Sequence, residues 1–196
     1  MKARLHKSNR KFGISIPRTY EEAVKFDEAN GNKLWKNAWD KEMTNIKIAF
    51  KFIDDGIPPP PGYNQTHCFI IFDIKIDLTR KARFIAGGHI TNPPTFMTYA
   101  IVVSRDRVRI AFLLAALNNL EILAGDIGNA YLNAMTTEKT YYHAKNEWGP
   151  MIKGNVLVIV RALFGFKTAA NAWRTYFCNT LQSKMKLKSG IADNDV

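Results

Sequence analysis

The segment Leu120-Glu-Ile-Leu-Ala-Gly-Asp-Ile-Gly-Asn-Ala-Tyr-Leu-Asn-Ala134 decides how the chain is to be read. Its apolar start, Leu120 to Ala124, predicts a buried strand that ends at Asp126. Gly128-Asn129 then predicts a turn, and Asn129 to Leu132 a short helix. A carboxylate at a strand tip has two uses. It caps the helix that follows, or it holds a hard cation, since Mg²⁺ takes one or two carboxylates and leaves its other positions to water and phosphates. Spacing alone leaves both open.

Outward from this segment, Arg105 to Asn119 reads as a helix capped by Ser104, apolar on most faces from Ile110 to Leu117 and therefore expected to be largely buried. Upstream, Cys68 to Asp77 reads as a strand, with Phe72, Ile74 and Ile76 on one face and Asp73, Lys75 and Asp77 on the other. Lys81 to Gly88 is its hairpin partner. A loop of Leu78 to Arg80 sets Asp77 opposite Lys81 and Lys75 opposite Arg83. Two like charges so placed either hold an anion such as phosphate or are separately solvated.

Two helices are expected before the hairpin. The first covers residues 17–30, with Pro17 and Thr19 near its start. The second follows Asn32, with Trp35, Trp39, Met43 and Ile46 at helical spacing. The tryptophans read as core, with base stacking as the alternative. Ile57 to Gly62, rich in proline, is a stiff connector. Downstream, Thr140 to His143 and Val156 to Val160 read as strands, Leu163 to Lys167 as a bend, and the last helix carries Trp173, Phe177 and Leu181 on one face. Helices and strands mix without regular alternation, so the fold class is α+β.

The 196 residues hold 28 Lys and Arg against 17 Asp and Glu, a net charge of +11. A polyanion is the default partner, and nucleic acid leads a membrane surface. No apolar run approaches the ~20 residues of a membrane helix. Cys68 and Cys178 are too few and too far apart for a disulfide framework or zinc site, and fit an intracellular, reducing compartment. Residues 1–16 form a basic arm, expected to be flexible.

Several segments together resemble copia-type retrotransposon reverse transcriptases. DIGNAYL resembles the first catalytic motif, and IFDIKID with RKARFIAGGH the fingers hairpin. YAIVVSRDRVRIAFLLAALNN resembles the helix before that motif. RALFGFKTAANAW and LWKNAWDKEMTNI resemble two further family segments. The likeness covers residues 17–196 in the family's order. It implies a fingers and partial palm fold that copies an RNA or DNA template-primer with deoxynucleoside triphosphates by a two-metal mechanism. Asp126 would bind Mg²⁺ with the carbonyl of Ile127. Tyr131 would pack under the deoxyribose. Lys75 and Arg83 would hold the triphosphate, with Phe164, Gly165 and Lys167 along the template and nucleotide side. Gly128 stands where many members carry Lys. The family's palm also needs an aromatic-x-Asp-Asp hairpin, and none is read in the sequence. Asp193 and Asp195 lack the preceding aromatic. The chain by itself is therefore expected to be an inactive polymerase fragment, the alternative being a non-catalytic nucleic-acid-binding remnant.

Overall fold

The computed structural model describes residues 10–54, 56–88, 98, 100 and 103–188. Asp193 and Asp195 lie outside them, as do residues 1–9 of the basic arm. The described part of that arm has regular structure, where little was expected. Strands β1 (Arg10–Lys11) and β2 (Ile14–Ser15) form a small antiparallel hairpin. It is pinned at both ends. Ile16 is buried in the core, and Lys11 Nζ lies 2.7 Å from Asp73 Oδ1.

Helix α1 (Tyr20–Ala29) starts where Thr19 Oγ1 accepts from Glu22 N, and Glu22 reaches back to Arg18 N. Helix α2 (Leu34–Ile46) has no side-chain cap of its own at Lys33. The buried Asp27 of α1 serves instead, accepting from Trp35 N at 3.1 Å and Lys36 N at 2.8 Å. One carboxylate thus caps α2 and fixes its angle to α1. Trp35, Trp39, Met43 and Ile46 are all buried, and Trp35 meets Phe72 edge-on at 5.6 Å. The tryptophans are core, which removes the base-stacking alternative.

After a 3₁₀ turn at Lys47–Ala49 come β3 (Phe50–Phe52), the proline connector, and β4 (Asn64–Gln65). Strands β5 (Cys68–Ile74) and β6 (Arg80–Ala86) make a two-stranded hairpin with α2 packed on β6. Strands β7 (Thr140–His143) and β8 (Val156–Ile159) complete a sheet in the order β3-β8-β7-β4, antiparallel except where β4 meets β7. Every residue of β8 is buried. An aromatic cluster joins sheet and hairpin. Phe84 of β6 is wedged between Phe50, Tyr142 and Trp148, at 5.9, 6.0 and 6.0 Å between ring centroids. Helix α3 (Arg105–Leu117) lies outside this core, and helix α4 (Ala169–Met185) joins it through its start, where Ala169 is buried and Ala172 and Trp173 pack against it.

Two expectations fail here. The run from Leu120 to Asp126 is not a strand, and Leu120, Ile122 and Leu123 are exposed. A strand exists only through a partner's hydrogen bonds, and no described strand pairs with this run. Helix α3 starts as read, with Ser104 Oγ accepting from Arg107 N. It is not buried. Ile110, Phe112, Leu113, Leu114 and Leu117 are exposed, because no described element packs broadly on it. Leu123 is 99% exposed as well, and so many exposed apolar side chains on one helix mark an interaction surface or an aggregation liability. The chain is expected to self-associate between micromolar and tens of micromolar concentration. Substituting Leu113→Lys and Leu117→Lys should restore a monomer. Sedimentation velocity checks this, and a concentration-independent monomer for the unchanged chain would refute it.

Candidate functional site

The hairpin's register differs from the expected one. Asp73 pairs with Lys81 and Ile71 with Arg83. The cause is local turn chemistry. Asp77 Oδ1 accepts from Thr79 N, Leu78 takes a left-handed φ of +64°, and Lys75 N donates to Thr79 O. Residues 75–79 are thereby withdrawn into the turn, and Lys75 does not face Arg83 across the strands. The shift is four residues, an even number, so the alternation of faces is kept. Lys81 and Arg83 still share one face of β6, opposite the core-facing Ala82 and Phe84.

Charge collects on that face. Burial and the nearby Arg83 and Lys75 lower the pKa of Lys81, while Glu42 and Asp126 act to raise it. Asp126 therefore lies within electrostatic reach of the cationic group, although they are far apart in sequence. On the partner strand, the hydrogen bond from Lys11 holds the Asp73 carboxyl below its usual range, assisted by Ile74 N.

The Leu163–Lys167 bend is seated directly on the end of β6. Ile85 and Phe164 form a parallel bridge, and Ala86 N donates to Phe164 O at 2.8 Å. The backbones are so close that a Cβ on Gly165 would fall 1.9 Å from Ala86 O. The bend delivers the Phe164 ring to 5.7 Å from the Arg83 guanidinium and 4.8 Å from the Tyr131 ring. Tyr131 comes from the 3₁₀ turn Ala130–Asn133, entered through Asn129 in a left-handed conformation. Lys167 is half-buried next in sequence to the buried Phe166 and Thr168. Arg83, Phe164, Gly165 and Tyr131 thus meet at one place, and Lys75, Lys81 and Asp126 belong to its electrostatic surroundings.

Asp126 is exposed, and the turn after it begins at Asn129 with no side-chain cap. The capping role is therefore not taken up. Ile127 beside it is exposed as well. Among the described residues no group of three or more His, Cys, Asp or Glu is placed to hold a metal ion. One exposed carboxylate and a neighbouring carbonyl suit a single Mg²⁺ whose other positions go to water and phosphate oxygens. They do not suffice for two ions in register.

Three features escaped the sequence reading. Lys81 joins the cationic group. Glu42 Oε1 accepts from Phe84 N at 2.7 Å, and burial, the largest influence, raises its pKa although Phe84 N, Lys81 and Arg83 act to lower it. The string Phe52-Ile53-Asp54-Asp55 also has the aromatic-x-Asp-Asp pattern, upstream of Asp126. Phe52 ends β3, and Asp54 lines a separate cleft with Pro58, Pro59 and His143, while Asp55 lies outside the described residues.

No described helix is long and apolar enough to cross a membrane. No protein-family model matches the chain, and no solved structure does. Over 167 residues, 82% of its length, the chain is 30% identical to the truncated transposon Ty1-A Gag-Pol polyprotein of Saccharomyces cerevisiae. It is 29% identical over 167 residues to the transposon Ty1-DR5 Gag-Pol polyprotein of the same yeast. It spans 13% and 9% of the lengths of these two relatives. The similarity supports a retrotransposon origin for this chain.

Proposed function

We propose that the chain is the fingers and first part of the palm of a retrotransposon RNA-directed DNA polymerase, and that the face around Arg83 receives a deoxynucleoside triphosphate. The observation that carries this reading is the meeting of Arg83, Phe164 and Tyr131, from three separate segments, beside a cationic group and an uncommitted carboxylate.

In this reading Arg83, Lys81 and Lys75 bind the triphosphate. Arg83 is the directional member, because its planar guanidinium can grip two phosphate oxygens while the Phe164 ring supports it from behind. The Tyr131 ring, held against Phe164, would be the floor under the sugar and the group that selects against a 2′-hydroxyl. Gly165 lets the bend lie flat on β6, and Lys167 extends the basic surface towards a template strand. Asp126 and the Ile127 carbonyl would hold Mg²⁺, which when bound supplies charge neutralisation at the phosphates. Nucleotidyl transfer itself needs further carboxylates, so catalysis is assigned to the intact polymerase.

The test is equilibrium binding of a deoxynucleoside triphosphate, with and without Mg²⁺. Arg83→Gln is expected to weaken binding at least about tenfold, the loss of one charge-assisted contact. Asp126→Ala should remove the gain that Mg²⁺ gives, and Tyr131→Ala should narrow the preference for deoxyribose over ribose. In primer extension on an RNA template, neither the unchanged chain nor Asp126→Ala should add nucleotides. Binding indifferent to Arg83 and to Mg²⁺ would sink the proposal. The net charge of +11 favours a second reading, a basic nucleic-acid-binding remnant without a nucleotide site. That reading expects binding to single-stranded RNA or DNA that falls steeply with salt and is unaffected by Asp126→Ala.

A further inference from the structure

We infer that Glu42 is a proton-accepting counter-ion of the Lys81–Arg83 face, so that an anion arriving there favours proton uptake at the Glu42 carboxylate. This deepens, and rests on, the reading of that face as a triphosphate site.

The geometry is specific. Strand β6 is hydrogen-bonded to β5 along one edge only. On its other edge, Ala86 N is taken by Phe164 O and Phe84 N by Glu42 Oε1. Glu42 comes from α2, whose apolar stripe of Trp39, Met43 and Ile46 is packed in the core, and its carboxyl is itself partly buried. Its bond to Phe84 N seats it against β6, and the charged groups within electrostatic reach of it there are Lys81 and Arg83. The other elements packed on α2 leave it alone. Asp27 of α1 is engaged at the far end of α2, Lys47 of the following turn is exposed, and Lys36 and Asp40 pair with each other.

Two opposed influences therefore meet at one carboxyl. Removal from water favours the neutral acid, while the two cations favour the carboxylate. An anion bound across Lys81 and Arg83 cancels the second influence and leaves the first. The proton then comes from solvent to the Glu42 oxygen not engaged by Phe84 N. The hydrogen bond to Phe84 N survives, because the carbonyl oxygen of a neutral acid still accepts. Protonation changes the charge of the face without releasing the strand edge. Glutamine mimics the protonated form, with the same acceptor and no charge.

The probe is inorganic tripolyphosphate, titrated into the full chain from pH 5 to pH 8 and compared with Glu42→Gln and Arg83→Gln. The probe's own titration is common to all three and cancels in the affinity ratios. Glu42→Gln is expected to bind about tenfold tighter than the unchanged chain at pH 8, and this ratio should shrink as the pH is lowered towards 5, the signature of a group whose pKa moves by about one unit on binding. In the unchanged chain, the pH titration of the Phe84 amide NMR shift should move upward when tripolyphosphate is added. A ratio that is flat with pH, or a Phe84 titration that stays put while Arg83→Gln still weakens binding, overturns the inference and leaves the phosphate face standing. Absence of any Arg83-dependent binding overturns both.

Discussion

Phe84→Ala should lower the stability of the chain by about 3–5 kcal/mol, a large part of what a domain of this size possesses. Phe84 is 0% exposed and lies on the core face of β6. Its ring meets Phe50 at 5.9 Å, Tyr142 at 6.0 Å and Trp148 at 6.0 Å, each edge-on. Those neighbours come from β3, β7 and the 3₁₀ turn Asn146–Trp148, so one side chain joins the β5–β6 hairpin to the four-stranded sheet. The cavity cannot close easily. Tyr142 is tethered through its hydroxyl to Glu147, and Trp148 is clasped against Phe50 at 5.0 Å. Large rigid rings held from several elements do not collapse into a small void, which puts the site at the costly end of such substitutions. Urea unfolding followed by tryptophan fluorescence measures the loss. Ile76→Ala, in the hairpin turn and 89% exposed, is the control and should change stability by less than about 0.5 kcal/mol. A loss below about 1 kcal/mol for Phe84→Ala would mean that hairpin and sheet do not share a core.

What was legible in the sequence follows from the range of each interaction. The stripe Trp35, Trp39, Met43, Ile46 and the run Val156 to Ile159 declare themselves because burial is written in their spacing or continuity. Ser104 as a cap is equally local. The hairpin was found and its register was not, because one Asx bond from Asp77 and a left-handed Leu78 lengthened the turn to five residues. Cross-strand pairing depends on such details, while face alternation survived the even shift. The segment from Leu120 to Asp126 and helix α3 show the opposite limit. An apolar run states a demand for partners and cannot say whether any will be found. At the site, Arg83 was singled out by its expected pairing with Lys75 and by resemblance, Tyr131 and Phe164 by resemblance, and only the fold brings the three together. Glu42 left a faint signal, as a carboxylate flanking the apolar stripe of α2, three residues after Trp39 and next to Met43. Its partner, a backbone amide 42 residues away, is not written anywhere in the local pattern.

Gly165→Ala should both destabilise the chain and disable the cationic face, because one glycine joins the two. Its φ of +95° lies where L side chains are strained, at a cost of about 1–3 kcal/mol. Space forbids the methyl group as well. A Cβ there would lie 1.9 Å from Ala86 O and 2.8 Å from Ile85 Cγ2, and the first of these is backbone that cannot rotate away. The reverse contact is as tight, since a Cβ on Gly88 would lie 2.1 Å from Gly165 O. Two glycines thus face each other where the Leu163–Lys167 bend lies on β6. An alanine must lift that bend, breaking the bond from Ala86 N to Phe164 O and carrying the Phe164 ring away from Arg83 and Tyr131. Strain and lost contacts together predict a destabilisation of about 2–4 kcal/mol. Affinity for tripolyphosphate should fall at least about tenfold at temperatures where the variant is still folded, as one charge-assisted contact is lost. Gly125→Ala is the matched control, because its added Cβ meets nothing within 4 Å. Thermal melting and anion titration of both variants separate the possibilities. Lost stability with unchanged affinity would mean that Phe164 does not position Arg83. Gly165→Ala melting with the unchanged chain would mean that the bend is not seated on β6, and the site would then have to be built from Lys75, Lys81 and Arg83 without the aromatic pair.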